Sequence, residues 1–182
     1  MKLLVTGVTG QLGSEVVTVL AEQGHEVIVA DRERMNFLHP QQAAAVVQAE
    51  QPDWVINCAA YTPVDKAESE PETAFTVNRD TPAQLAQAVA DYGGRFLQVS
   101  TDFVFDGKHN KDYKEDAETY PLGVYGKTKL DGEKELVTIN PKHFIIRTSW
   151  LYSEFNSNFM KTMLRLSQDR DELNVVCDQI GT

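Results

Sequence analysis

Tyr125 and Lys129 stand four residues apart in the run Tyr125-Gly126-Lys127-Thr128-Lys129. That is one helical turn, so a phenol and an ammonium point the same way from a helix. Far upstream, Gly7-Val8-Thr9-Gly10-Gln11-Leu12-Gly13 lies between a short apolar run and an amphipathic stretch. Such a loop offers backbone N–H groups at a helix N-terminus to a dinucleotide pyrophosphate. Between the two, Ser100-Thr101-Asp102 closes another apolar run. A hydroxyl there can hydrogen-bond a substrate carbonyl and favour its developing alkoxide. A phenol with its ordinary pKa of ~10 is a reluctant proton donor and acceptor at neutral pH, and a nearby ammonium favours the phenolate. A lone Tyr-x3-Lys pair is most often an exposed helix face, and a lone glycine loop is a turn. The three together read as a nicotinamide-dependent reductase.

Each further candidate carries its own alternative. Gly7 permits a tight turn, Gly10 a close approach of backbone to pyrophosphate, and Gly13 close helix–strand packing. Asp31 ends the second apolar run, near where an acid meets the adenosine ribose in such folds. Arg32 and Arg34 follow it, so a 2′-hydroxyl (NADH) and a 2′-phosphate (NADPH) are both accommodated, unless the arginines are only a solvated loop. Asn57-Cys58-Ala59-Ala60 ends the third run with small residues, which leave room for a cofactor and equally suit tight packing. His25, His39, His109 and His143 are scattered without carboxylates or cysteines at ligand spacing, so no metal ligand is assigned. Trp150 and Tyr152 are candidate stacking aromatics or core.

The elements that must position these groups follow from periodicity. Leu3–Val5, Val27–Ala30, Trp54–Ile56, Phe96–Val99, Phe144–Ile146 and Leu173–Val176 are continuous apolar runs, as expected of strands covered on both faces. Leu12, Val16, Val19 and Leu20 mark one helical stripe; Phe75, Leu85, Val89 and Tyr92 mark a longer one, with Pro82 expected to kink or restart it near Arg79–Thr81. Leu130, Glu133 and Val137 mark a third, and Phe159, Met163 and Leu166 a fourth. Alternating strands and helices predict an α/β fold, a Rossmann-like doubly wound parallel sheet with helices on both faces. The irregular stretch 106–121, rich in Lys, Asp, Glu and Tyr, is long enough to be functional or mobile.

The 182 residues suit one domain or one and the start of another, and 42% hydrophobic residues suffice for a core. A net charge of −10 argues against nucleic acid and anionic membrane as partners, while local helix ends can still bind phosphate. Cys58 and Cys177 read as buried free thiols. No signal segment and no apolar run of membrane-spanning length is visible, which makes the cytoplasm the expected compartment.

These residues together resemble the extended short-chain dehydrogenase/reductase family. The resemblance runs through Thr6–Gly13, Asn57-Cys58-Ala59-Ala60-Tyr61-Thr62-Pro63-Val64-Asp65-Lys66-Ala67-Glu68, Val77-Asn78, Ser100–Gly107, Tyr125–Glu133 and Arg147-Thr148-Ser149-Trp150. The glycine and Tyr-x3-Lys motifs are shared across the superfamily. The runs ending at Glu68 and Gly107 are more specific, to its reductases of nucleotide-linked 4-keto-6-deoxy sugars. The resemblance implies hydride transfer from NADPH or NADH to C4 of a dTDP-linked nucleotide-sugar substrate. Tyr125 would donate the proton, Lys129 would activate it and anchor the ribose, and Thr101 would bond the substrate. Val64, Asp102, Phe103 and Trp150 would line the sugar pocket. Gly7, Thr9, Gly10, Gln11, Leu12, Gly13, Asp31, Arg32, Cys58, Ala59, Ala60, Tyr61, Asn78 and Ser100 would contact the dinucleotide, with Asn36 and Phe37 by the adenine. Some members form a homodimer around magnesium held partly by a glutamate at the position of Glu15, which here reads better as a solvent-facing helix residue.

Members of the family continue past Asp178-Gln179-Ile180-Gly181-Thr182 into a smaller substrate region. The expectation is therefore a Rossmann-like NAD(P)-binding domain over 1–170, with the last strand and the start of a largely absent substrate region over 171–182. Two other functions stay open. A nucleotide-sugar epimerase or dehydratase shares the fold, but dehydratases of this kind carry an Asp-Glu pair where Asp102 is followed by Phe103, which cannot move a proton. A non-catalytic, dinucleotide-binding regulatory subunit is disfavoured by intact Tyr125 and Lys129.

Overall fold

The computed structural model describes residues 1–109 and 111–176. Five strands form one parallel sheet in the order β2-β1-β3-β4-β5: β1 Lys2–Thr6, β2 Glu26–Ala30, β3 Trp54–Asn57, β4 Arg95–Thr101 and β5 His143–Thr148. The register pairs Val5 with Val29 and with Ile56, Ile56 with Leu97, and Leu97 with Phe144. Because β1 has β2 on one side and β3 on the other, the strand order reverses there. The crevice beyond the carboxyl ends of β1 and β3 is where open α/β sheets take ligands.

Helix α1 (Gln11–Glu22) follows β1; α2 (Pro40–Glu50) and the short α3 (Val64–Ser69) flank β3 in sequence; α4 (Pro71–Phe75) runs through a π-helical turn at Thr76–Asp80 into α5 (Thr81–Ala90). The expected break near Arg79–Thr81 is thus a π turn inside a continuous helical run, in which the Thr81 N–H bonds to the Thr76 carbonyl and Pro82, with no N–H to donate, follows directly. Apolar periodicity does not reveal α2. Its segment is rich in Ala and Gln with Pro40 at the start, good helix chemistry with only a narrow apolar stripe. Helices α6 (Val124–Ile139) and α7 (Phe159–Leu166) complete the described fold.

One sheet face carries the core. Leu4, Val55 and Phe96 are fully buried and pack with Val47 of α2, Leu85 and Val89 of α5 and Leu136 of α6. On the opposite face α1 covers β1 and β2, while Phe144 and Ile146 of β5 remain 55% and 50% exposed. The sixth strand expected over Leu173–Val176 does not form: 172–176 are irregular, with Val175 and Val176 exposed. A run of four residues, three of them apolar, makes a strand only by pairing with a neighbour, and this run makes no ladder with β5. Cys177 and the remaining 178–182 lie outside the described residues. No helix among the described residues is long and apolar enough to cross a membrane.

Candidate active site

The glycine loop joins β1 to α1 at the switch point. Gly7 has φ +66°, and a Cβ on it would lie 2.6 Å from the Ala59 nitrogen and the Cys58 carbonyl carbon. Only glycine serves there, since the residue needs both the left-handed region and contact with the loop after β3. A Cβ on Gly13 would in turn overlap the Gly7 carbonyl. Gly10 begins α1, whose first turn has neither a capping side chain nor an acidic residue. The free N–H groups of Gln11 and Leu12 and the positive helix end are therefore available to an anion, with exposed Thr9 beside them.

Along the rim, Asp31 Oδ1 accepts from the backbone N–H groups of Glu33 and Arg34, at 3.1 and 2.9 Å. Arg34 is ion-paired to Glu50, which also binds Lys2. Arg32 is exposed and makes no ion pair among the described residues. The two arginines that the sequence leaves equivalent therefore differ: Arg34 is occupied and Arg32 is free. Asn36 is exposed, and Phe37 packs against the core with its carbonyl accepting the Thr81 hydroxyl at 2.6 Å.

Beneath the crevice runs a chain of buried polar groups. Thr6 Oγ1 donates to Asn57 Oδ1 at 2.6 Å, Asn57 Nδ2 to Gln98 Oε1 at 2.8 Å, and Gln98 Nε2 to the Val99 carbonyl at 2.8 Å. Lys129 Nζ donates to that same carbonyl at 2.6 Å. Neither Thr6 nor Gln98 stands out by motif, although a glutamine inside the apolar run Phe96–Val99 is the kind of buried polar residue that needs partners. Cys58 lies near this end of Lys129 and is half-buried where the sequence reads as a buried thiol; loss of water pushes the thiol up to about 11.

Lys129 is 4% exposed. Burial pulls its ammonium down to about 8, against the opposing pull of Glu133 one turn further along α6. Tyr125 is held above its ordinary phenol value mainly by burial; the nearby Thr101 side chain pulls the other way, and the Asp102 charge adds to the rise. This differs from the expectation that Lys129 favours the phenolate. With the ammonium turned to the Val99 carbonyl, loss of water outweighs it, and the resting group is the protonated phenol. Thr101 Oγ1 donates to Asp102 Oδ1 at 3.1 Å and accepts from the Phe103 N–H at 3.2 Å, fixing the hydroxyl at the head of a 3-10 turn over Asp102–Val104. Gly126 lets α6 meet that turn, because a Cβ on it would overlap the Phe103 carbonyl. The Phe103 ring stands edge-on to Tyr125 with centroids 5.5 Å apart.

Other residues hold α6 in place. Asn78, on the π turn, is 1% exposed. Its side chain accepts from the Tyr61 N–H at 2.8 Å and donates to the Tyr61 carbonyl and to Thr128 Oγ1, at 3.1 and 3.0 Å. Thr128 donates in turn to the Tyr125 carbonyl at 2.8 Å. Glu133 receives Arg147 from β5 in a bidentate pair along one guanidinium edge, Nη2 donating to Oε2 at 2.6 Å and Nε to Oε1 at 3.0 Å. Arg147 also donates to the Glu115 carbonyl at 3.2 Å and lies over the Phe105 ring, 5.1 Å from its centroid. With Phe105 stacked on Tyr113 at 4.4 Å, the irregular stretch 106–121 is anchored to α6. Residue type and spacing alone assign no role to Thr128 or to the Glu133–Arg147 pair.

Of the sugar-side candidates, Val64 opens α3 and Asp102 and Phe103 are exposed beside Tyr125. Trp150 is 41% exposed with φ +52° and meets Phe159 edge-on at 5.8 Å. Glu15 is half-buried, not solvent-facing as expected, and accepts from the Ser153 hydroxyl at 2.8 Å. Chain returning from β5 has come back onto α1. Among the described residues no group of three or more His, Cys, Asp or Glu side chains lies together as metal ligands would.

A dinucleotide fits what is present. The uncapped start of α1 suits its pyrophosphate, and Ser100 Oγ, buried at the carboxyl end of β4, has no hydrogen-bond partner among the described residues. An unpartnered buried hydroxyl at such a place is accounted for by a polar ligand. Glycine loop, Thr-Tyr-Lys group and parallel sheet are together those of a nicotinamide-dependent short-chain dehydrogenase/reductase of the extended kind.

Similarity to known proteins makes this narrower. The chain belongs to the RmlD substrate binding domain family, whose sequence description matches residues 1–182. It is 44% identical over 181 residues to the dTDP-4-dehydrorhamnose reductase of Aggregatibacter actinomycetemcomitans, covering 99% of this chain and 62% of that protein. Among solved structures it resembles the dTDP-4-dehydrorhamnose reductase of Clostridium acetobutylicum, with 42% identity and a TM-score of 0.96 over 100% of this chain and 65% of that one. The Bacillus anthracis dTDP-4-dehydrorhamnose reductase, solved in complex with NADP, is 37% identical with a TM-score of 0.93 over 98% of this chain and 64% of that one. The chain thus spans a little under two thirds of the length of these relatives.

Proposed function

We propose that this chain supplies the cofactor site and the proton-donating residues of an NADPH-dependent reductase that converts dTDP-4-dehydrorhamnose to dTDP-L-rhamnose. The observation that carries the reading is the buried Lys129 one turn from Tyr125 on α6, with Tyr125 against the Phe103 ring of the turn that Thr101 heads and at the same sheet end as the uncapped glycine loop.

When bound, the reduced dinucleotide supplies a hydride to the carbonyl carbon at C4. Gly7, Gly10 and Gly13 with the first turn of α1 would hold its pyrophosphate, Arg32 a 2′-phosphate, and Ser100 and Lys129 its nicotinamide end. The Thr101 hydroxyl bonds the C4 carbonyl oxygen and steadies the negative charge that grows on it. The Tyr125 phenol, kept protonated by burial, gives its proton to that oxygen, so the carbonyl becomes a secondary alcohol. The phenolate left behind gains from the nearby Lys129 ammonium, a charge absent before transfer and therefore an interaction that favours the transition state over the ground state. Asp102, Phe103, Val64 and Trp150 would face the sugar.

The test is direct: NADPH absorbance is followed on adding dTDP-4-dehydrorhamnose to this chain. NADPH oxidation matched one for one by conversion of the C4 ketone to the C4 alcohol of dTDP-L-rhamnose is expected. NADPH binding without oxidation at saturating sugar, in this chain and also in a version extended to the length of its relatives, overturns the reductase reading and favours a regulatory dinucleotide binder. Sugar isomerisation without net oxidation would favour an epimerase.

A further inference from the structure

The run Asp65-Lys66-Ala67-Glu68 lies within the most specific stretch of the sequence, yet the chemistry above uses none of it. Its place in the fold gives it work. Helix α6 begins at Val124, and its capping position is Gly123, which has no side chain to satisfy the first-turn N–H groups. The missing acceptor comes from 56 residues away: Glu68 Oε1 accepts the Val124 N–H at 2.7 Å. A Cβ on Gly123 would stand 2.9 Å from that oxygen, so the glycine and the glutamate fit each other.

The capped amide immediately precedes Tyr125. A carboxylate at a helix N-terminus satisfies an orphan donor and opposes the positive helix end. Here it also fixes where the helix starts, and so where the phenol sits relative to Thr101. Helix α3 is itself held at its far end. The Tyr61 hydroxyl donates to Glu70 at 2.7 Å, and Lys66 pairs with Glu70 at 2.8 Å, while the Tyr61 backbone is bound by Asn78. Val64 and Glu68 are four apart on α3 and share a face. The short helix is thus a strut between the loop after β3, the sugar-side Val64 and the first turn of α6.

We infer that Glu68 is a positioning residue: it caps the catalytic helix from outside and sets the placement of the Tyr125 phenol against Thr101. The inference rests on the reading of Tyr125 as proton donor, and its test separates the two. Tyr125 ionisation is measured without substrate, as the difference in tyrosinate absorbance between each protein and its Tyr125→Phe counterpart. Glu68→Ala moves the midpoint down toward the ordinary value of ~10, because a frayed first turn lets water reach the phenol. Glu68→Gln keeps the acceptor oxygen and keeps the midpoint of the native chain. In the same proteins the Val124 amide exchanges about fivefold or more faster in Glu68→Ala, the size of a lost cap, and recovers in Glu68→Gln. With keto-sugar, Glu68→Ala lowers kcat by about fivefold or more while the NADPH Kd stays put, and Glu68→Gln recovers most of the loss.

An unmoved midpoint and unmoved Val124 exchange in Glu68→Ala overturn the inference, as does a Glu68→Gln protein that behaves like Glu68→Ala. A native chain inert toward the sugar counts against the reductase reading alone, since the midpoint and the amide exchange are read without turnover.

Discussion

The two faces of the sheet are built to different standards. On the face of α2, α5 and α6, Leu4, Val55, Phe96, Leu85 and Val89 have no exposed surface, and every helix on it bears on the site or the core beneath it. On the face of α1, cover ends with β1 and β2. Trp54 and Phe144 stack at 5.5 Å, but Phe144 and Ile146 stand half open and α7 has no buried residue. After β5 the described chain hydrogen-bonds back to α1 through Ser153 and Asn158, and to Thr9 just ahead of it through Asn156. The lesson concerns placement: Tyr125, Lys129 and Thr101 are mounted on the closed half, so their geometry does not wait on the cover of the open one.

Effects of substitution should therefore follow burial from the closed face outward. Phe96→Ala, at the centre of the closed core, should cost about 3–5 kcal/mol of unfolding free energy, whereas Phe144→Ala on the open face should cost below about 1 kcal/mol. Equal losses in denaturant titrations would erase the distinction between the faces. Tyr125→Phe removes one oxygen from the catalytic helix. Turnover on the keto-sugar should fall by about 10²-fold or more, with denaturation midpoint and NADPH affinity retained. Near-native turnover would remove Tyr125 from the chemistry.

The next effect is one of pH. Lys129 on the closed face titrates at about 8. Its ammonium is present below that value and lost above it, so the rate should hold up to about pH 8 and then drop, approaching tenfold per unit. A flat profile through pH 10 would show that the charge is not needed. The smallest effect belongs to the rim. Arg32→Ala should weaken NADPH binding several-fold, on the scale of about 1 kcal/mol for an exposed charge, and leave NADH nearly unchanged. Equal losses in fluorescence titrations with both dinucleotides would show that Arg32 reads no 2′-phosphate.

Much of this fold is legible in the amino-acid sequence itself. Five apolar runs become five parallel strands because a strand buried between helices must be apolar throughout, and Pro82 marks the break ahead of α5 because proline tolerates only the first turn. The glycine loop declares itself through residue type and order. What stays hidden depends on contacts far apart in sequence. Nothing near Gly123 announces that Glu68 caps it, nor near Thr128 that Asn78 binds it. The apolar run 173–176 has strand composition, yet a strand also requires an edge to pair with. The pKa of Tyr125 escapes for a related reason: spacing brings Lys129 to the same helix face, but only the packed site tells how much water both groups lose.

The polar chain Thr6–Asn57–Gln98–Val99–Lys129 also bears on how such a site can change over generations. Replacing Thr6 alone leaves Asn57 Oδ1 only the longer bond from the Ala59 N–H at 3.2 Å, and replacing Gln98 alone leaves Asn57 Nδ2 without its acceptor. The first step weakens a buried hydrogen-bonded pair, and the second strands a buried amide donor at a desolvation cost of about 1–3 kcal/mol. Replacing the group together with apolar residues of similar shape would cost far less than the sum of its steps, because the penalties are strongly non-additive. Intermediates between two viable sequences are then worse than either end. The crossing is a fitness valley, and it lies under the one lysine whose ammonium is anchored at the end of that chain.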